Sequence, residues 1–391
     1  MNTHELRKAL IDNEDESQTL SFLNTEEKYD RLDQNAKDEL LAVAATFRRN
    51  TVLLALIEKG ANVNHADDFS GTALCLAATM GNTHGMEILI NNGADIEGHD
   101  GKNNTPLMMA AISGCAPSIE ILIKHNANVD NVSKEGHTPL TSTAHRGDID
   151  CAQKLLDAGA QIDGVEGQFS SPINIAARNG QADIAKLLLE RGARTDIRDA
   201  YNITPLANAC MYGHTGVVRA FHEHGVSLQE KDDDGKSLMQ IAVESHSPKV
   251  ITQLHQYGMD VNEKNASGES LLHIAARKTN NTATIQSLLD AGASIDAANL
   301  SSGNTALILA IHYDNADTVK LLLERGADTN IKNKHGNTAF DFMSEKAKSN
   351  GIADMMEAAW KRQTAQSFAK AATKGTTSPR RIVRKSKLAP N

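Results

Sequence analysis

The stretch GHTPLTSTAHRGDIDCAQKLLDAGAQID, Gly136–Asp163, decides the fold. Its Thr138-Pro139 pair marks a helix start. A threonine hydroxyl accepts from an unpaired backbone N–H at the N-cap, and the fixed φ of proline suits the first helical position. Gly159 fits a left-handed stop at the end of the second helix. The pattern returns in SSPINIAARNGQADIAKLLLERGARTD, Ser170–Asp196, where Ser171-Pro172 and Gly192 take the roles of Thr138-Pro139 and Gly159.

Working outward, the apolar residue after the cap pair recurs as Leu41, Leu74, Leu107, Leu140, Ile173, Leu206, Met239, Leu272, Leu307 and Phe340. The steps are 33 residues seven times, then 35, then 33. The stop recurs as Gly60, Gly93, Asn126, Gly159, Gly192, Gly225, Gly258, Gly292 and Gly326, at 33 residues six times and 34 twice. One extra residue therefore sits near Thr279–Thr284 and another near Asn299–Gly303. Asn126 stands in for a stop glycine, and Asn103 and Asn202 for the turn glycine seen at Gly136 and Gly303, because asparagine is the next-best residue for left-handed backbone. Ala110–Ala111 and Ala176–Ala177 are small enough to let helices approach, while Ile184, Leu187 and Leu188 recur at helical spacing and are expected to fill the layer between units.

The period, the Thr-Pro pairs and the paired helices resemble the ankyrin-repeat family, whose unit is a β-turn followed by two antiparallel helices. The likeness spans roughly residues 34–345. Departures are local: proline becomes Ala73, Leu238, Leu271, Ala306 and Ala339, and the motif histidine survives as His273. The resemblance implies an all-α repeat solenoid, an ankyrin array of about ten stacked 33-residue helix-turn-helix units joined by β-turn fingers. One unit cannot bury its apolar face alone, so stability must come from stacking with capped ends. We expect a helical capping segment at 1–33 using Leu6, Ala9, Leu10 and Phe22, a degenerate first unit at 34–66 and eight repeats at 67–333. A capping unit at 334–365 is expected to use Phe340, Phe342, Met355, Met356 and Trp360, with a disordered basic tail at 366–391.

Composition agrees with many small cores: aromatics are 4 % of residues. Cys75, Cys115, Cys151 and Cys210 form no CxxC pair and read as reduced thiols. The N-terminus turns acidic where a secretory signal needs an apolar run, and no apolar stretch approaches a membrane span. Residues 361–391 hold nine Lys/Arg and no Asp/Glu, so the remainder of the chain carries −18 of the formal net charge of −9.

No GxxxxGK[ST], GxSxG or HExxH occurs, so the chain reads as non-enzymatic, with no cofactor, no metal and no small-molecule substrate. His222 and His255 lie one period apart, at a helix position held elsewhere by Leu189 or Leu323, and with His224 and His246 read either as a solvent-facing group or as a metal or pH-sensing site. Asp232, Asp233 and Asp234 read as a solvated turn. Ankyrin proteins generally bind through turn tips and the exposed end of the first helix. There the chain places Phe69 and Met80, then Arg146, Phe169, Arg178, Tyr201, Met211 and Tyr212, then Arg277, Lys278, His312 and Tyr313. The middle group concentrates aromatics and arginine, which dominate interface hot spots. Packing of Phe169 and Tyr201 against neighbouring turns is the alternative reading.

The expected function is a monomeric protein-interaction scaffold in the cytoplasm, holding a protein partner in its groove and turn tips. Two alternatives stay open. One is a secreted effector of an intracellular bacterium acting on host proteins. The other is nucleic-acid or anionic-surface binding through the tail, which the acidic body opposes. The segment PRRIVRKSK also reads as a nuclear-import signal.

Overall fold

A hydroxyl side chain starts almost every helix pair. In the computed structural model, which describes residues 3–12, 16–25, 29, 32–67, 70–165, 171–345 and 351–373, the side chains of Thr72, Thr105, Ser171, Thr204, Ser237 and Thr305 each accept from the backbone N–H three residues on. Thr138 forms a reciprocal capping box with Thr141. These caps satisfy donors that a helix end leaves unpaired. At the other ends, Asn126 stands at φ 61° beside Gly159 at 88° and Gly192 at 85°, and Asn103 and Asn202 take φ 64° and 62° in the turns.

The chain forms two compact units, Met1–Leu228 and Gln229–Asn391. In the first, the first helices of five repeats are Ala73–Thr79, Pro106–Ser113, Pro139–Arg146, Pro172–Asn179 and Pro205–Met211. Their second helices are Thr83–Asn91, Ala116–Lys124, Ile149–Asp157, Ala182–Glu190 and Thr215–Glu223. First helices pack on first helices and second on second. Leu74, Leu107, Ile173 and Leu206 are fully buried, as are Ala110, Ala111, Ala176 and Ala177, whose small side chains permit the close approach. One expectation needs correcting: Leu187 is half-buried, and Ile184, Ala185, Leu188 and Leu189 form the buried stripe. The i, i+4 pairs 184/188 and 185/189 face the stack, which turns position 187 toward its edge.

Each turn is organised by one short side chain. Asp100 Oδ1 accepts from the N–H groups of Lys102 and Asn104, and Asp199 Oδ1 from those of Tyr201 and Ile203. A second polar series ties repeat to repeat: the N–H of Asp95 donates to Asn64, that of Asn128 to Glu97, that of Gln161 to Asp130 and that of Arg194 to Asp163. These bonds leave few backbone groups unsatisfied in the irregular connections.

At the N-terminal end, Thr3–Asp12 packs on Gln34–Thr46 and Ser17–Leu23 on Asn50–Glu58, burying Leu6, Leu10, Phe22 and Leu23. The helix Gln34–Thr46 is a turn or more longer than the other first helices. Asp33 replaces threonine as its cap, and the buried Asp38 carboxylate accepts from Gln34 and from the Asn62 N–H.

The second unit repeats the scheme with first helices Leu238–Glu244, Leu271–Ala276 and Ala306–His312 and second helices Pro248–Gln256, Thr282–Asp290 and Ala316–Glu324. Both one-residue insertions fall in connections: one lengthens the link between Ala276 and Thr282, the other the turn from Asn299 to Gly303. A short 3-10 helix, Ala339–Phe342, precedes the helix Ile352–Thr373, which packs on Ala316–Glu324 through Ile352, Met356 and Ala359. Gln363 donates to the Ala327 carbonyl and accepts from Thr329. This helix runs past residue 365, where the composition suggested the tail begins. Residues 363–373 hold four Ala and two Gln, with no Gly or Pro before Gly375, so nothing stops the helix earlier. The basic segment from residue 374 lies outside the described residues.

Candidate functional site

The ends of the first helices and the adjoining turns of Met1–Leu228 carry the candidate site. The first helices of this unit from Ala73–Thr79 onward are each followed by a left-handed glycine, and the residue before the next repeat's second helix stands against that glycine at Gly81, Gly114, Gly147 and Gly180. Gln181 Nε2 donates to the carbonyls of His145 and Arg146 at 3.2 Å each, and His214 Nε2 lies 3.0 Å from the Arg178 carbonyl. A Cβ on Gly180 would stand 2.6 Å from the His214 ring, so glycine is required there both for φ +73° and for room.

On this frame, Arg178 and Tyr212 meet. The Arg178 guanidinium carbon lies 5.6 Å from the Tyr212 ring centroid, a cation–π distance, and the other neighbour of Tyr212 is the His214 ring, stacked at 6.3 Å and 20°. Tyr212 remains 47 % exposed. Tyr201, at the turn tip, is 72 % exposed. Met211 is half-buried at the end of its helix.

Arg146 is exposed but engaged. Its guanidinium pairs with Asp148 and approaches the Ile112 carbonyl at 3.4 Å. Its register also differs from expectation: Arg146 is the last residue of its helix and aligns with Asn179 and Tyr212, whereas Arg178 aligns with His145 and Met211. Adjacent helical positions differ by about 100° in direction, so these are two neighbouring rows rather than one. Phe69 and Phe169 lie outside the described residues.

Two shallow cavities, about 360 and 310 Å³, run between the turns and the first helices. The larger is lined by Met108, Ile112, Ser142 and Arg146, the smaller by Asn174, Arg178, Asn179 and Asp199, and they share Glu135, His137 and His145. Lys102 lies 2.9 Å from Glu135 and holds its carboxyl below the ordinary glutamate value. His137, His145 and Ile112 were missed in sequence; for Ile112 and His145 the available signal was their place in the same 33-residue register as Arg178 and Met211.

The remaining candidates have other roles or stand apart. Arg277 pairs with the buried Glu269, Lys278 Nζ donates to the Glu244 carbonyl at 2.8 Å, and the His312 ring meets Phe342 edge-on at 5.9 Å. His222 and His255 are both exposed and belong to different units. Asp232 is engaged by the N–H of Lys236 within its own turn. Among the described residues no group of three or more His, Cys, Asp or Glu is placed to hold a metal ion, and no helix is long and apolar enough to cross a membrane. Burial raises the thiols of Cys75 and of Cys151, the latter to about 12.

The family model for ankyrin repeats (3 copies) matches residues 40–133, 86–166, 113–199, 173–265 and 246–333. The chain belongs to the ankyrin-repeat family. Members of this family are generally non-catalytic binding modules, most often for other proteins. The crystal structure of the human ASB11 ankyrin repeat domain is similar at a TM-score of 0.50 and 27 % identity, covering 56 % of this chain and 98 % of that one. Among curated proteins none matches. In this ankyrin-repeat protein the candidate surface lies on first-helix ends and turn tips and presents exposed rings, a stacked guanidinium and polar troughs.

Proposed function

We propose that the chain is a non-enzymatic protein-interaction scaffold that holds a partner along the first-helix ends and turn tips of Met1–Leu228. One observation carries this reading. A chain poor in aromatics leaves Tyr201 and Tyr212 exposed and stacks Arg178 on one of them, at positions the fold does not need filled. Large rigid side chains of this kind bury much area at low entropic cost and dominate interface energetics. The sites proposed are Arg178, Tyr201 and Tyr212, together with Arg146 and Met211 and with Phe169 as a sequence candidate outside the described residues.

The test is affinity capture from cells that make the protein. The intact chain is compared with Arg178→Ala/Tyr212→Ala and with Lys186→Ala/Glu190→Ala, which alters the exposed face of a second helix. The first variant is expected to weaken the captured partner by about 2 kcal/mol, roughly thirtyfold, and the second to leave it unchanged. The reverse result places the partner on the second helices and overturns the assignment.

A further inference from the structure

We infer that the trough formed by the two shared cavities recognises an extended acidic peptide segment, one that carries an apolar side chain about five or six residues from an Asp or Glu. This rests on the scaffold reading above and adds the chemistry of the partner.

The argument begins with which charges are already satisfied. Among the described residues two acids line the trough. Glu135 is held by Lys102. Asp199 gives Oδ1 to two backbone N–H groups and Oδ2 to the Asn208 amide at 2.9 Å. Neither is bonded to Arg178 among the described residues. Arg146, the other arginine, is paired with Asp148. Among the described residues the Arg178 guanidinium is met by the Tyr212 ring, and a ring face accepts none of its five N–H donors in the way a carboxylate does. His137 and His145 add ring N–H donors on the same trough, and an imidazole carries at least one in every protonation state. The donor surplus stands out against a chain whose first 360 residues carry −18. A carboxylate is the group that satisfies a guanidinium and nearby N–H donors together.

The opposite end of the trough is apolar. Met108 forms its floor, and Ile112 is 46 % exposed beside it. Ile112 and Arg178 stand on first helices two repeats apart, at Pro106–Ser113 and Pro172–Asn179. Helix layers spaced roughly 8–10 Å put them about 16–20 Å apart, and an extended chain covers that in about five or six residues at roughly 3.3 Å each.

The probe is a phage-displayed library of random 12-residue peptides, selected on the intact protein, with variants checked for an unchanged urea midpoint. Enriched peptides are expected to carry Asp or Glu at the stated spacing from an apolar residue. They should bind at least tenfold more weakly to Arg178→Gln and to Tyr212→Ala, and Arg178→Glu should enrich Lys or Arg at the same place. Peptides without an acid that still lose affinity on Tyr212→Ala would overturn the charge inference while leaving the docking surface standing. Acidic peptides indifferent to both changes would overturn the inference and the scaffold surface together. So would a selection yielding no peptide, or Arg178-dependent binding of a single-stranded oligonucleotide in place of peptides.

Discussion

The first-helix ends of the two units carry similar residues and use them differently. In Gln229–Asn391, Arg277 pairs with Glu269, Lys278 donates to the Glu244 carbonyl at the end of the previous repeat's first helix, and His312 packs edge-on against Phe342. In Met1–Leu228, Arg178 meets, among the described residues, only the half-exposed Tyr212 ring, and Tyr201 is largely exposed in its turn. An exposed position in the repeat is therefore not by itself a site. The distinguishing property is the partner: a carboxylate of its own repeat for Arg277 and a carbonyl of the adjacent repeat for Lys278, against an exposed ring for Arg178.

The comparison is sharpened first by its shared background, the buried stripe of the second helices. Leu188→Ala and Leu288→Ala remove fully buried side chains, one in each unit, and each is expected to cost about 2–5 kcal/mol by urea denaturation. A much smaller loss in one unit would show its layer to be loosely packed, and differences at the helix ends would then need no electrostatic cause. The next largest effect separates the ends themselves. Glu269→Ala leaves Arg277 beside a vacated buried position and is expected to cost about 2 kcal/mol, whereas Arg178→Ala and Tyr212→Ala are expected to stay within about 0.5 kcal/mol. Equal losses would break the distinction between engaged and available side chains.

The smallest expected effect is a pH dependence confined to Gln229–Asn391. Burial lowers the pKa of His273, whose ring bonds Ser270 on one side and the Asn304 carbonyl on the other. A base with a depressed folded-state pKa takes up protons more readily when unfolded. Its stabilising contribution is thus present above the unfolded value of about 6.5 and is lost as pH falls below it. The urea midpoint should drop between about pH 7 and 5, and His273→Gln should flatten that drop. An unchanged slope would assign the acid sensitivity to carboxylates instead.

The fold was legible because its signals are periodic. Thr105, Thr138, Ser171 and Thr204 declare helix starts by their chemistry, and Asn126 could be read as a glycine substitute from its place in the series. The site was legible only in part. Sequence placed Arg146 and Arg178 together as exposed arginines, but the pairing of Arg146 with Asp148, two residues on, is a rotamer outcome that no pattern announces. The extension of the last helix to Thr373 escaped notice because apolar content was weighed above helix propensity. His137 and His145 were passed over because single histidines on a polar surface attract no attention until a cavity joins them.

The side-chain bonds from Asn64, Glu97, Asp130 and Asp163 to the next repeat give the chain a rule for growth. Donor and acceptor sit about one period apart, so adding or deleting a whole period leaves every remaining partner the same kind of neighbour. A change of any other length inside a helix would shift the acceptors out of step. The two natural one-residue insertions lie in connections, where the helices on either side keep phase. Lineages of this protein can therefore lengthen or shorten by copying units, while the distinctive troughs stay tied to the particular repeats that hold Glu135 and Arg178.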